Sequence, residues 1–199
     1  MATRIIVPHR GLERAKTRLA GVLDPSERAA LAERLLRHVL DAAVATGHEV
    51  VVISPDSGLG TLAAAAGAQL AVQHGMGLNA GLAEARDESL RDGMDVLAVL
   101  HGDLPDLAPD DITALLIAVS GPGPAVAIAP DAAARGTNGL ALRPPDAIGF
   151  HFGRDSLAAH RAAAELSGAR LTVVDRPGLA FDVDTPQDLA TWLERGHAA

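Results

Sequence analysis

An apolar run that is followed at once by an acidic residue is the feature that most constrains this chain. The run is Val96–Leu100, five residues without a polar side chain, which is typical of a strand covered on both faces in a parallel sheet. It ends at His101 and Gly102, and Asp103 follows where the carboxyl end of the strand is expected. Because open α/β sheets bind ligands at that edge, Asp103 is well placed to hold a metal ion. An Asp before a Leu-Pro turn is equally typical of a loop cap, so the assignment depends on further acidic residues.

Apolar strand-length runs and amphipathic helical segments alternate along the whole chain. We predict strands at 3–7, 50–53, 69–72, 96–100, 125–129, 140–142 and 171–174, and helices at 25–46, 60–66, 78–91, 109–119 and 154–167. A last helix starts at Thr185 and Pro186. Since no linker, repeat or low-complexity segment interrupts the 199 residues, the sequence indicates one α/β domain, 1–199, with three αβα layers.

The composition excludes several classes of protein. No cysteine occurs, so disulfides, thiolate metal sites and thiol nucleophiles are excluded. A net charge of −8, with only three Phe and one Trp, argues against a nucleic-acid surface. No run approaches the roughly 18 apolar residues of a membrane span. We therefore expect a cytoplasmic protein that acts on small molecules; the oligomeric state stays open, a homodimer included.

Positive charge is concentrated in the loop after the first predicted strand. Residues 1–18 contain five basic side chains against the single acid Glu13: Arg4, Arg10, Arg14, Lys16 and Arg18. Lys16 is also the only lysine among the 17 basic residues of the chain. The loop is therefore suited to an anionic ligand.

A glycine-rich loop at 74–81 enters the helix predicted at 78–91. It contains Gly77, Asn79 and Gly81, and backbone amides at such a position can approach a base or a phosphate closely. Its spacing fits neither the Rossmann nor the P-loop pattern, and a plain turn remains the alternative.

A second acidic pair lies near the carboxyl terminus. Asp182 and Asp184 flank Val183 in a segment that we expect to be extended and to leave a strand, so that both carboxylates point to one side. With Asp103 they would make an oxygen-only site, which suits Mg²⁺ or Mn²⁺.

Two polar segments between the acidic clusters are candidates for a second anion. One contains Thr137 and Asn138 between glycines, and its alternative interpretation is a hairpin with Asn138-Gly139 at the turn. The other contains Gly153 and then Ser156, in the first turn of a predicted helix, where a phosphate or a simple cap would be equally suitable. Acids, cations and glycine loops together indicate phosphoryl chemistry. A metal-dependent glycosyltransferase and a non-catalytic nucleotide-binding module remain alternatives.

The order and spacing of these segments resemble one family. The segments are VPHRGLERAKTRLAGVLDPSERAALAERLL, GLNAGL, GDLP, PDAAARGTNGLAL, FGRDSLAAH and FDVDTPQDL, and they span nearly the whole chain. They are similar to the phosphoenolpyruvate/2-phospho-L-lactate guanylyltransferases of coenzyme F-420 biosynthesis, within the molybdenum-cofactor-type nucleotidyltransferases. One departure is Pro8-His9-Arg10, where the family usually has Pro-Val-Lys or similar after the first strand.

The resemblance implies a GT-A-like Rossmannoid fold with a mostly parallel sheet, GTP as cosubstrate and Mg²⁺ as cofactor. GMP would pass to phosphoenolpyruvate, 2-phospho-L-lactate or 3-phosphoglycerate with release of pyrophosphate. Another nucleotidyltransferase of this fold, acting on molybdenum cofactor or a sugar, is the nearest alternative. No catalytic role is expected for His9, His74, His101, His151 or His160.

The resemblance also assigns roles to individual residues. The metal ligands would be Asp103, Asp182 and Asp184, and the catalytic residues Lys16, Arg18 and Asp103. The remaining assignments are to nucleotide binding, for Pro8, Arg10, Lys16, Gly77, Asn79 and Gly81, and to acceptor binding, for Thr137, Gly153 and Ser156.

Overall fold

The computed structural model describes residues 1–196, and a seven-stranded sheet is its centre. The strands are β1 (Thr3–Pro8), β2 (Glu49–Ser54), β3 (Gln69–Val72), β4 (Val96–Leu100), β5 (Ala125–Pro130), β6 (Thr137–Arg143) and β7 (Arg170–Val173). Their order across the sheet is β3-β2-β1-β4-β6-β5-β7. Only β6 runs against its neighbours, pairing antiparallel with both β4 and β5. The α/β class with a mostly parallel sheet is confirmed.

Helices connect the strands, except that a loop joins β5 to β6. They are α1 (Pro25–Val44), α2 (Gly60–Ala65), α3 (Leu78–Arg91), α4 (Pro109–Ala118), α5 (Ser156–Ser167), α6 (Pro177–Ala180) and α7 (Pro186–Glu194). The start of α1 follows from its sequence, because Asp24 accepts from the Ser26 and Glu27 amides in a capping box. Within residues 1–196, no helix combines the length and apolarity needed to cross a membrane.

The helices cover both faces of the sheet, which gives the expected three layers. On one face, α1, α2 and α4 bury their apolar sides against alternate residues of the strands, with Leu36 and Ile112 fully buried. On the other face, α3 and α5 do the same around Leu82 and Leu157. The inner strands are covered on both sides, which explains their continuous apolar sequences, whereas the edge strands β3 and β7 are partly exposed.

The alternative of a hairpin turn at Asn138-Gly139 is wrong, because both residues lie inside β6. A side chain at Gly139 would come within 3.2 Å of Ala129 and Leu115, which is tighter than usual, so these neighbours would have to move to admit one. The strand therefore starts earlier than the predicted 140–142, and places Thr137 and Asn138 beside the end of β4.

The expectation that Asp182 and Asp184 leave a strand is also wrong. The short helix α6 intervenes after β7, and residues 181–184 then run as extended chain outside the sheet. One backbone bond fixes this segment, from the Val183 amide to the carbonyl of Asp103 at 3.3 Å. The segment that carries Asp182 and Asp184 is therefore held beside Asp103 by this bond, without strand pairing in the sheet.

Candidate active site

Three carboxylates meet at the edge of the sheet where β4 ends. Asp103, Asp182 and Asp184 each offer one oxygen atom, and these atoms all lie within 4.8 Å of one another. Asp103 comes from the loop after β4, while Asp182 and Asp184 come from the extended segment bonded to it. The alternation expected of an Asp-Val-Asp segment is observed, since Val183 between the two acids is fully buried.

Two cations from the basic loop face these acids. The Lys16 ammonium lies 2.6 Å from Asp103 Oδ2 and 3.2 Å from Asp184 Oδ1. The Arg18 Nη1 lies 3.2 Å from Asp184 Oδ2. Their exposure differs greatly, because the Lys16 side chain is 6% exposed and that of Arg18 is 72% exposed. Lys16 is thus built into the site, whereas Arg18 lies at its rim.

The backbone at Lys16 is left-handed, with φ 53° and ψ 35°. This conformation is uncommon for a residue with a side chain, and residues held in it concentrate at functional sites. A short 3₁₀ turn, Thr17–Leu19, follows and buries Leu19 against Val183, Leu31 and Trp192. The apolar cluster formed by these residues anchors the basic loop to the segment that carries Asp182 and Asp184.

The charges perturb one another strongly. Burial by itself would raise the pKa of Asp103, but the nearby Lys16 ammonium outweighs it and holds that pKa below its usual range. Burial would likewise lower the pKa of Lys16, but Asp103 and Asp184 together raise it. Both groups are therefore ionised at neutral pH.

Asp182 differs from its neighbours. Burial, followed by the negative charges of Asp103 and Asp184, raises the pKa of Asp182 to about 6. Its hydrogen-bond partner is Asn138, whose Nδ2 lies 3.3 Å from Oδ1. Sequence reasoning missed Asn138 as a site residue, although its place beside Thr137 in the GTN segment was a usable signal.

The donor set fits a divalent cation. The Oδ1 atom of Asp103 is buried and has no hydrogen-bond partner within residues 1–196, which is costly for an ionised carboxylate without a cation. All three candidate ligands are carboxylate oxygens, the donors preferred by Mg²⁺ and Mn²⁺.

The residues assigned to nucleotide binding lie on two segments. Pro8 ends β1 and leads to Arg10, which is exposed. Gly77 is the N-cap of α3, with φ 89°, and Gly81 is buried against Gln73. A side chain at Gly81 would lie 2.6 Å from Gln73 Oε1, so close packing by itself explains that glycine.

Asn79 binds a different segment from the one expected. Its Oδ1 accepts from the Phe152 amide at 2.9 Å, and its Nδ2 donates to the Phe152 carbonyl at 3.0 Å. This pair of bonds fixes the segment just before Gly153 to the first turn of α3. The role of Asn79 in nucleotide binding stays a prediction, but its side chain also ties the nucleotide segment to the acceptor segment.

The residues assigned to the acceptor converge from two elements. Thr137, at the start of β6, is buried and its Oγ1 lies 3.1 Å from Nδ1 of His160. His160 belongs to α5, the helix that Ser156 begins, and Gly153 precedes that helix with φ 135°. The amide of Leu157 donates to Arg135 O at 3.0 Å, which ties α5 to the loop before β6.

A family model described as "Guanylyl transferase CofC like" matches residues 3–198. The chain belongs to this family. At 46% identity over 200 residues, it is similar to the phosphoenolpyruvate guanylyltransferase of Sphaerobacter thermophilus, covering 100% of this chain and 95% of the relative. The enzyme of the same name from Rubrobacter xylanophilus is 45% identical over 96% of this chain and 93% of its own.

Another relative within this guanylyl transferase family has a different acceptor in its name. A 3-phospho-D-glycerate guanylyltransferase from Phenylobacterium zucineum is 38% identical over 98% of this chain and 91% of its own. The family resemblance inferred from the motifs is therefore confirmed.

Solved structures support the fold. A protein from Desulfovibrio desulfuricans described as a nucleotide-diphospho-sugar transferase superposes with a TM-score of 0.83 at 20% identity, over 100% of this chain and 90% of its own. Glucosyl-3-phosphoglycerate synthase from Mycobacterium tuberculosis, in complex with Mn²⁺, uridine diphosphate and phosphoglyceric acid, superposes with a TM-score of 0.63 at 12% identity. The superposition covers 98% of this chain and 75% of the synthase. At these identities the likeness concerns the fold, and it confirms the GT-A-like architecture.

Proposed function

We propose that this protein transfers GMP from GTP to the phosphate of phosphoenolpyruvate, forming enolpyruvoyl-2-diphospho-5'-guanosine and pyrophosphate. The observation that carries the proposal is the junction at Thr137 and Asn138. Thr137 belongs to the candidate acceptor segments, while the adjacent Asn138 donates to Asp182 of the carboxylate cluster. Acceptor and nucleotide would thus meet at one sheet edge. In the pathway that the family resemblance implies, the product is an intermediate of coenzyme F-420 biosynthesis.

The reaction needs no protein base. A phosphate monoester has a second pKa of about 6, so the acceptor oxygen is largely ionised at neutral pH. That oxygen forms a new bond to the α-phosphorus of GTP. The bond from the α-phosphorus to the bridging oxygen breaks, and pyrophosphate leaves with the electron pair. The protein must therefore align the two substrates and neutralise their charge.

The chain provides the groups for both tasks. Lys16 and Arg18 supply cationic donors for the triphosphate oxygens, and Lys16 is pre-oriented by its two carboxylate partners. Asp103, Asp182 and Asp184 would hold Mg²⁺, which when bound supplies positive charge to the reacting phosphates. The amides around Gly77 and the first turn of α3 would receive the nucleotide, together with Pro8 and Arg10.

Phosphoenolpyruvate is the first choice of acceptor because the relatives at 45% and 46% identity carry its name. 3-Phosphoglycerate is the second, on the name of the Phenylobacterium relative. Both, like 2-phospho-L-lactate, present one carboxylate and one phosphate. Thr137, Gly153 and Ser156 would bind these two anionic groups.

The test is pyrophosphate release from each nucleoside triphosphate with Mg²⁺ and each of the three phospho-acids. We expect release with GTP and phosphoenolpyruvate, and ³¹P NMR should show a new diphosphate diester. Pyrophosphate release that requires an acceptor other than a phospho-acid would favour another nucleotidyltransferase. Transfer of a sugar would favour a glycosyltransferase, and binding of GTP with no product would favour a binding module.

Two substitutions test the acceptor segments. Ser156→Ala and Thr137→Val should each raise KM for the acceptor by roughly tenfold to a hundredfold, since a hydrogen bond to a charged group contributes about 1.5 to 3 kcal/mol. KM for GTP should stay within a few-fold. Equal effects on both substrates, or no effect, would show that Thr137 and Ser156 have only structural roles.

A further inference from the structure

The imidazole of His160 is fully buried, and both of its nitrogen atoms have partners. Nδ1 lies 3.1 Å from Thr137 Oγ1, and Nε2 lies 3.0 Å from the backbone nitrogen of His151. The ring thus joins the start of β6 to the segment that leads to Gly153. From the sequence, no catalytic role was expected for this histidine.

The partners determine which nitrogen carries the proton. A backbone amide can only donate, so Nε2 must accept from His151 and cannot itself carry hydrogen. In a neutral ring the proton is then on Nδ1, which donates to the hydroxyl of Thr137. The ring is neutral at physiological pH because burial, reinforced by His151 and His101, lowers the pKa of His160 to about 4.

The direction of the hydrogen bond from His160 determines what the Thr137 hydroxyl can offer to a ligand. Its oxygen accepts from His160, so its own hydrogen remains to be donated, and no second partner for it exists within residues 1–196. A buried donor without an acceptor suits a ligand that only accepts, such as a carboxylate or a phosphate. The opposite tautomer would take the hydroxyl hydrogen for the ring and present only lone pairs to the anion.

The same ring also fixes the second acceptor segment. His160 holds the His151 amide, and its ring meets the edge of Phe152 at a centroid distance of 4.8 Å and an angle of 72°. Asn79 binds both backbone groups of Phe152. The residue that follows is Gly153, and His160 is one helical turn after Ser156, on the same side of α5.

We propose that His160 is a positioning residue, held as the Nδ1–H tautomer, that makes Thr137 a hydrogen-bond donor for the anionic acceptor and fixes the adjacent 151–153 segment. It acts through these groups and does not touch the reacting atoms. The proposal rests on the proposed function for its acceptor, but the tautomer is a property of the protein by itself.

Two substitutions separate the two bonds of the ring. In His160→Asn the amide nitrogen replaces Nδ1, which keeps a donor for Thr137 and loses the acceptor for His151. In His160→Gln the amide oxygen replaces Nε2, which keeps the acceptor for His151 and loses the donor for Thr137. We expect KM for phosphoenolpyruvate to rise roughly tenfold in His160→Gln and less in His160→Asn, with KM for GTP within about twofold in both.

A double-mutant cycle with Thr137→Val distinguishes positioning from general loosening of the fold. If His160 acts through the hydroxyl, His160→Gln should change the acceptor KM by no more than about twofold once Thr137 is Val. Full additivity, or equal increases in KM for GTP and for the acceptor, would overturn the proposal. Melting temperatures identify a variant that fails to fold, in which case the other substitution carries the comparison.

The tautomer is measured without any substrate. Long-range ¹H–¹⁵N correlation spectra should show an Nδ1–H ring with an unprotonated Nε2 at His160, and an Nε2–H ring would overturn the proposal even in an active enzyme. Failure of the proposed function is seen separately, as wild-type protein that releases no pyrophosphate with any phospho-acid. That result would remove the acceptor role of His160 as well.

Discussion

Two buried cations each pair with two carboxylates. One is Arg4 in β1, and the other is Lys16 in the loop that follows β1. The Arg4 Nη2 lies 2.8 Å from Glu49 and 2.7 Å from Asp92, and its side chain is 7% exposed. The Lys16 ammonium has distances of 2.6 and 3.2 Å to its partners and a side-chain exposure of 6%. Burial and pairing by themselves therefore do not distinguish the two clusters.

The difference lies in the acceptors. Arg4 also donates to Ser89 and joins β1 to β2 and α3, so the cluster is a closed set of bonds between elements. Around Lys16 there is a third carboxylate, Asp182, with a raised pKa, and a buried Asp103 oxygen without a partner within the described residues. A surplus of acceptor oxygens, rather than a buried cation, is what indicates a binding site. The predictions below test that contrast.

The largest effect is expected from removing a candidate metal ligand. Asp184→Asn and Asp103→Asn should lower pyrophosphate release by roughly a hundredfold or more, because metal-held charge contributes several kcal/mol at a phosphoryl transition state. Steady-state rates with GTP and phosphoenolpyruvate measure it. Asp184→Asn is the cleaner variant, since its side chain is 41% exposed and its loss should leave the melting temperature within a few degrees. Near wild-type rates in both would contradict the metal assignment.

Arg4→Met should show the opposite behaviour. Removing the guanidinium leaves the partly buried Glu49 and the more exposed Asp92 without their partner, which should lower the free energy of unfolding by about 2 kcal/mol. Turnover of the folded protein should stay within about twofold. The matched control is Arg37→Met, which removes an exposed pair with Glu33 and should cost about 0.3 to 0.5 kcal/mol. Lost turnover with unchanged denaturant unfolding would contradict a structural role for Arg4.

We expect substitution of Lys16 to affect both stability and metal binding, because its charge is buried and also faces the carboxylates. The sequence indicated only that its loop is suited to an anionic ligand, and the structure shows that the Lys16 side chain is also buried. Lys16→Met should lower the free energy of unfolding in EDTA by about 1 kcal/mol, since Asp103 loses its nearest cation. Added Mn²⁺ or Mg²⁺ should then raise the melting temperature more than in wild type. Arg18→Met, at an exposed position, is the control. Equal cation-induced shifts of the melting temperature in Lys16→Met and wild type would contradict the idea that Lys16 and the divalent cation compete for the same carboxylates.

The smallest effect concerns pH. With a pKa raised to about 6, Asp182 keeps a proton in the folded state that the unfolded chain releases near pH 4, so this group lowers stability as pH rises between those values. The pKa values of His9 and His160, lowered to about 4 by burial, have the opposite sign and add stability over the same rise. Asp182→Asn removes only the first contribution. From pH 5 to pH 7 in EDTA, its unfolding free energy should therefore gain roughly 1 kcal/mol relative to wild type. Parallel pH profiles for the two proteins would contradict this.

Much of the fold was readable from local pattern. The apolar run Val96–Leu100 is β4 with the predicted bounds, and α1 begins at Pro25 as predicted, directly after its cap residue Asp24. Such features are local, because strand-length apolar runs and cap residues act within a few positions of themselves. The placement of Thr137 and Asn138 inside β6 could not be predicted from the sequence. β6 inserts antiparallel between β4 and β5, and such pairing depends on strands that are distant in the chain.

The sequence by itself determined which chemical groups are present. It also identified Asp103, Asp182 and Asp184 as candidate metal ligands, because residue type and the alternation of Asp-Val-Asp can be read directly from the chain. Only the tertiary structure decided how those groups are paired. Asn138 with Asp182, Asn79 with Phe152 and His160 with Thr137 are contacts between residues 44, 73 and 23 positions apart. Hydrogen-bond partners at such separations are set by the packing of helices on the sheet, and the same packing determines which histidine nitrogen carries its proton.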